Sequence, residues 1–188
     1  LEEIKIEDKG LKRYISLEPV LVPRTGGRRT KVRFHKSYTN IVERLMNKLM
    51  VSGHKGKKHK LSSGHNPGKV SKVYGIVERA FTLIENETKK NPIAVFVKAI
   101  ENAAPREEIT TIEYGGAKYP KSVDSGPQRR VDLTLKNMVQ GAYSRTFKSK
   151  KKAEKCLAEE ILNAYNLKME SNAIAKKMEL ERQADSSR

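Results

Sequence analysis

Six cations fall between residues 24 and 36, namely Arg24, Arg28, Arg29, Lys31, Arg33 and Lys36, with no acid among them. Side chains of this type at this density are suited to neutralising a polyanion, and without one they repel each other. From residue 44 to residue 77 the chain carries eight Lys or Arg and again no acid, with Lys55, Lys57, Lys58 and Lys60 crowded into the Gly-rich stretch 53–68. A third group breaks a local rule. Helix N-termini are the positive ends of the helix dipole and favour Asp or Glu. Yet Lys69 and Lys72 open one helical pattern, Arg129 and Arg130 another, and Lys150, Lys151 and Lys152 a third, with Arg145 and Lys148 just before it. A phosphate reverses the sign there, because backbone N–H groups, dipole and side chains all act on one anion.

Other chemistry finds little to work with. Four histidines, His35, His54, His59 and His65, lie in basic surroundings without nearby carboxylates, so neither acid–base catalysis nor a metal site is expected. The stretch Gly64-His-Asn-Pro-Gly68-Lys69-Val70 lacks the spacing and the Ser or Thr of a nucleotide-binding loop. No cofactor is expected. The single cysteine, Cys156, excludes an internal disulfide and a cysteine-built zinc site, and its place in a helical pattern marks it as buried. Adjacent Glu107 and Glu108 point to opposite faces of a strand and are assigned a structural role. The net charge of +17 points to nucleic acid as partner, and no apolar run approaches the roughly 20 residues that span a bilayer, so no membrane partner is expected.

The elements that must position these cations are mostly helices. Ser37 is placed to cap the first, with Tyr38, Ile41, Val42, Leu45, Met46 and Leu49 on its apolar stripe before Gly53. Val70, Val73, Tyr74, Val77, Ala80, Phe81 and Ile84 mark a second helix. Asn91-Pro92 opens a third through Ile93, Phe96, Val97, Ile100 and Ala103. Between residues 106 and 130 a two-stranded ribbon is expected. Ile109, Thr110, Thr111, Ile112 and Tyr114 favour strand, and Gly115-Gly116 supplies the positive φ of a tight turn. Ile109 falls on one face and Ile112 and Tyr114 on the other, so the ribbon needs a covering element or an outside partner. A fourth helix starts near Val131 and a fifth is capped by Ser149, with Ala153, Leu157, Ile161 and Ala164 inward. A sixth, capped by Ser171, has only Ile174 and Met178 for its apolar face and is expected to lie across the surface. The fold class is mainly α: a six-helix single domain with a protruding two-stranded β-ribbon between the third and fourth helices. Residues 1–36 read as an aperiodic extension ending in the basic arm, and residues 37–188 as the helical domain with its ribbon at about 107–126.

The run Asn47-Lys-Leu-Met-Val-Ser-Gly53, Gly56-Lys57-Lys58, Asn91-Pro92, Pro105-Arg106, Gly115-Gly116-Ala117-Lys118-Tyr119 and Pro127-Gln128-Arg129-Arg130 resemble small-subunit ribosomal protein seven. The likeness covers residues 37–188, and the ending Ala173-Ile-Ala-Lys-Lys-Met-Glu-Leu-Glu-Arg182 resembles its archaeal and eukaryotic branch. The resemblance implies a cytoplasmic protein of the small ribosomal subunit that binds the 3′ major domain of small-subunit rRNA and nucleates head assembly. It also implies a ribbon near the exit-site tRNA and mRNA path, with ribosomal proteins nine and eleven as neighbours. By position it implies rRNA contacts at Lys57, Lys58, Arg106, Arg129, Arg130, Arg145 and Lys148, with Gly115 and Gly116 near the ribbon's far part. Bacterial members have a shorter connection after the first helix, so contacts from residue 59 to 68 do not transfer, and the arm lies outside the match.

Two other readings fit the charge alone. A helical DNA-coating protein should present one coherent basic recognition helix, whereas here the cations gather in connections and at helix starts. An RNA-processing enzyme would need a converging acid, base or metal set. The full RNA-binding set expected is Arg24, Arg28, Arg29, Lys31, Arg33, Lys36, Lys55, Lys57, Lys58, Lys60, Lys69, Lys72, Arg106, Lys118, Arg129, Arg130, Arg145, Lys148, Lys150, Lys151 and Lys152. The ribbon itself, with two lysines against four acids between residues 106 and 129, carries −2 and is expected to supply reach rather than charge.

Overall fold

Asn40 sets the start of the first helix. Its Oδ1 accepts the Val42 N–H at 2.9 Å, and α1 runs from there over Ile41–Met50. The computed structural model describes residues 4–55, 58, 59 and 63–188. Within these residues α1 is followed by the short strands β1 (His54–Lys55) and β2 (Lys58–His59), then α2 (Val70–Thr88) and α3 (Pro92–Ala103). The ribbon strands β3 (Glu107–Tyr114) and β4 (Ala117–Asp124) come next, and α4 (Pro127–Thr146), α5 (Ala153–Tyr165) and α6 (Asn172–Asp185) complete the chain. The six-helix, ribbon-bearing architecture is as expected.

The apolar stripes meet in one core. Leu45 and Met46 of α1, Val77 and Ile84 of α2, Phe96 and Ile100 of α3, Leu135 and Met138 of α4, and Leu157 and Ile161 of α5 are all buried there. Helix α5 packs against α2, α3 and α4 together, and Cys156 on it is fully buried. Burying a side chain such as Leu or Phe contributes about 1.5–3 kcal/mol, so this shared core outweighs the propensity of any single helix. Ala153, expected inward, is exposed at the helix start.

Three helix starts differ from expectation. Ser37 does not cap α1: it lies in a 3₁₀ turn, His35–Tyr38, and its hydroxyl donates to Gln128 Oε1 at 2.5 Å, which leaves Tyr38 exposed. Ser149 does not cap α5. Its Oγ accepts the Lys151 N–H at 3.1 Å, and Lys152 precedes the first helical residue without a side-chain cap. Helix α4 begins four residues before Val131, because Pro127 occupies its first turn, where a missing N–H costs nothing. Asn91 and Ser171 cap α3 and α6 as expected, accepting from Ile93 N at 3.0 Å and Ile174 N at 3.4 Å.

The stretch before α1 contributes to the same core. Leu11 and Ile15 are buried in it, although they lie in or beside the 3₁₀ turn Lys12–Tyr14, and Ser16 bridges Asn40.

Candidate nucleic-acid interface

The ribbon is clamped at its base and open at its tip. Its register pairs Glu107 with Asp124 and Tyr114 with Ala117, and Gly115 and Gly116 turn between them at φ 59° and 78°, the left-handed pair that a two-residue type I′ turn requires. Pro120 sits in β4, where a two-stranded ribbon is all edge and a missing N–H is tolerated. Arg129 Nε donates to both oxygens of Glu108, at 2.6 and 2.8 Å. Arg188 pairs with Glu107, Glu181 Oε1 accepts the Arg106 N–H at 3.0 Å, and Ser187 O accepts the Ser122 N–H at 3.4 Å. Helix α6 and the residues after it are thus the covering element. Beyond that base Ile112 and Tyr119, directly opposite each other, and Tyr114 share one exposed face.

Several cations chosen for phosphate contact also hold the fold. Arg130 Nη2 donates to Asp8 Oδ2 at 2.9 Å and its Nε to Pro105 O at 3.1 Å, tying the N-terminal segment to the ribbon's base. Burial pushes the Asp8 carboxyl up, but the Arg130 guanidinium and the Gly10 and Leu11 amides outweigh it and hold it below the usual range. Lys36 and Arg44 share Asp132 on α4, and there too burial is outweighed, so that carboxyl is also held low. Arg145 Nη2 lies 3.1 Å from Glu160 Oε2, Lys151 pairs with Glu159 at 3.0 Å, and Arg29 stands 3.9 Å from Glu18.

The remaining candidates face solvent. Arg24, Arg28, Lys31, Arg33, Lys69, Lys72, Arg106, Lys118, Lys148, Lys150 and Lys152 are exposed and carry no ion pair among the described residues. Lys57 and Lys60 lie outside the described residues, as do the side chains of Lys55 and Lys58. Three clusters form. Arg24, Arg28 and Arg29 line one concavity of the arm, whose turn is pinned where Glu43 Oε1 accepts both the N–H and the hydroxyl of Thr25, at 3.0 and 2.6 Å. Lys150, Lys151 and Lys152 line a cleft of about 640 Å³ with Arg79 and Lys155. Lys36 and Arg129 line a third with Lys48 and Lys136. Sequence reasoning passed over Arg79, Lys48 and Lys136. Lys136 lies seven residues beyond Arg129, two turns along one helix face, and that spacing was the available signal.

A helical body whose exposed cations gather in acid-free connections, with an open ribbon held at its base, has the makeup of a nucleic-acid-binding structural protein. Residues 11–188 match the family described as Ribosomal protein S7p/S5e, and the chain belongs to that family. It is 56% identical over 187 residues to the small ribosomal subunit protein uS7 of Nanoarchaeum equitans, covering 100% of this chain and 94% of that one. The proteins of the same name from Methanothermobacter thermautotrophicus and Methanosphaera stadtmanae are 48% and 49% identical, covering 99% and 98% of this chain and 94% and 92% of theirs. The match begins well before residue 37, so the basic arm lies inside it, contrary to expectation. The chain is accordingly a structural component of the cytoplasmic small ribosomal subunit, with rRNA and ribosomal proteins as partners.

Proposed function

We propose that the protein binds the 3′ major domain of small-subunit rRNA, nucleates assembly of the subunit head, and extends its ribbon toward the exit-site tRNA and mRNA path, with ribosomal proteins nine and eleven as neighbours. The observation that carries the RNA-binding part is the concentration of exposed, unpaired cations in acid-free connections: the arm, the start of α2 and the link between α4 and α5. Such cations neutralise phosphates and read RNA largely by shape, with affinity that falls steeply as salt rises. The two roles of the cations divide by place. Arg129, Arg130, Arg145 and Lys36 hold elements together, while Arg24, Arg28, Lys31, Lys148, Lys150 and Lys152 meet phosphates. The ribbon, clamped at its base and net acidic, supplies reach.

Titration of the protein against small-subunit rRNA and against duplex DNA of random sequence, at matched salt, tests this reading. Preference for rRNA with a steep salt dependence is expected. Equal affinity for the two would refute it.

A further inference from the structure

Between the basic arm and the first turns of α4 lies a groove of about 420 Å³ lined by Phe34, Lys36, Lys48, Gln128, Arg129 and Lys136, among others. Its one acid, Asp132, is already held by Lys36 and Arg44. Lys48 and Lys136 have no ion pair among the described residues. Phe34 is out of place by ordinary folding rules. Its backbone sits at φ 66°, a left-handed conformation uncommon for a bulky residue, yet the residue is 52% exposed and is not part of the core. Strain retained without a packing gain points to use. The Arg33 guanidinium lies 4.7 Å from the ring centroid and covers one face, leaving a flat cation-flanked surface. Gln128 is also unsatisfied: Ser37 occupies its Oε1, while its buried Nε2 has no partner.

We propose that this groove receives one unstacked nucleotide of the RNA, its base against the Phe34 ring and its phosphate between Lys48 and Lys136. The inference rests on the RNA-binding reading above. An aromatic face beside paired cations fits a splayed-out base, because every base has a π-face and its backbone carries the charge. Helical RNA alone would need only the cations and would leave Phe34 unexplained.

Two properties separate ring from charge. Phe34→Asn removes the ring while keeping a residue that tolerates the left-handed backbone, and Phe34→Trp keeps a stacking surface. Phe34→Asn is expected to bind small-subunit rRNA about tenfold more weakly with an unchanged slope of log affinity against log salt and an undiminished melting temperature. Phe34→Trp should bind like the wild type, and the double variant K48A/K136A should lower the slope by about one to two. If the wild type prefers rRNA to DNA and Phe34→Asn binds rRNA equally well, the groove proposal fails while the rRNA reading stands, and a protein segment becomes the groove's occupant. Loss of salt slope in Phe34→Asn would overturn it too, since the ring would then merely position cations. A wild type without preference for rRNA overturns both.

Discussion

Arg145 Nη2 stands 3.1 Å from Oε2 of Glu160, a carboxylate with no exposed surface at the meeting point of α4, α5 and α6. The other carboxylate oxygen accepts the Ser171 hydroxyl at 2.8 Å and the Ala173 N–H at 3.1 Å, so Glu160 also satisfies the start of α6. Arg145→Ala leaves this buried charge without its cation. Breaking a fully buried pair costs about 3–5 kcal/mol. The Arg145 side chain keeps 28% of its exposure, so a loss of about 1–3 kcal/mol is expected, read by urea denaturation. Unchanged stability with weakened RNA binding would return Arg145 to the interface.

The lysines before α5 behave oppositely. Lys150 and Lys152 have no partner among the described residues, and the exposed Lys151–Glu159 pair is worth at most about 1 kcal/mol. Cations are unfavourable at a helix start. The triple variant K150A/K151A/K152A should therefore keep or slightly raise the melting temperature, while its rRNA affinity falls and its salt slope drops by about two to three. Lower stability with intact binding would contradict this assignment.

Gly141 lets α4 approach α5 and α6. A Cβ there would lie 2.7 Å from Asn172 Cβ and 2.9 Å from the Glu160 carboxyl carbon, both on side chains already fixed by hydrogen bonds. Alanine gains about 1 kcal/mol of helix propensity over glycine, but overpacking costs about 1–3 kcal/mol. With neither neighbour free to move, Gly141→Ala should be net destabilising, measurable by thermal denaturation.

Acid should unfold the protein partly through Asp8 and Asp132. Both carboxyls are held below their ordinary value of 3.8 in the folded chain, so near that pH the unfolded chain binds more protons. Their stabilisation is present above pH 3.8 and is lost as pH falls through the lower folded values. Glu160 has the opposite sign: burial raises its carboxyl above 4.5 despite Ser171, Ala173 and Arg145, so its ionisation costs stability as pH rises through that region. Asp132→Asn should flatten the loss of stability as pH falls below 3.8 in denaturant titrations. An unchanged acid limb would remove Asp132 as a contributor.

Periodic apolar stripes made the helices legible, and Asn91-Pro92 and Ser171 marked helix starts and Gly115-Gly116 the ribbon's turn by local chemistry that nothing distant overrides. Leu11 and Ile15 were illegible because they reach the core from irregular backbone on either side of a three-residue 3₁₀ turn, which has no period to read. Ser37 and Asn40 are both good caps by type. The choice between them turns on Gln128, 91 residues beyond Ser37 in the chain, which takes the serine hydroxyl. The same distance effect blurred the interface. Residue type identified Arg129, Arg130 and Arg145 as cations for phosphate, but their acidic partners Glu108, Asp8 and Glu160 are adjacent only after folding. The ribbon's cover was hidden likewise, since it makes its polar contacts through Glu181 of α6 and through Ser187 and Arg188 just beyond the helix, which carry no apolar period.

Hydroxyl-radical footprinting of the protein on full-length small-subunit rRNA tests the central claim most directly. Protection confined to the 3′ major domain, lost in K150A/K151A/K152A and retained in a folded Arg145→Lys variant, is the expected result. Protection scattered over all domains, or none at salt where the wild type is folded, would contradict it.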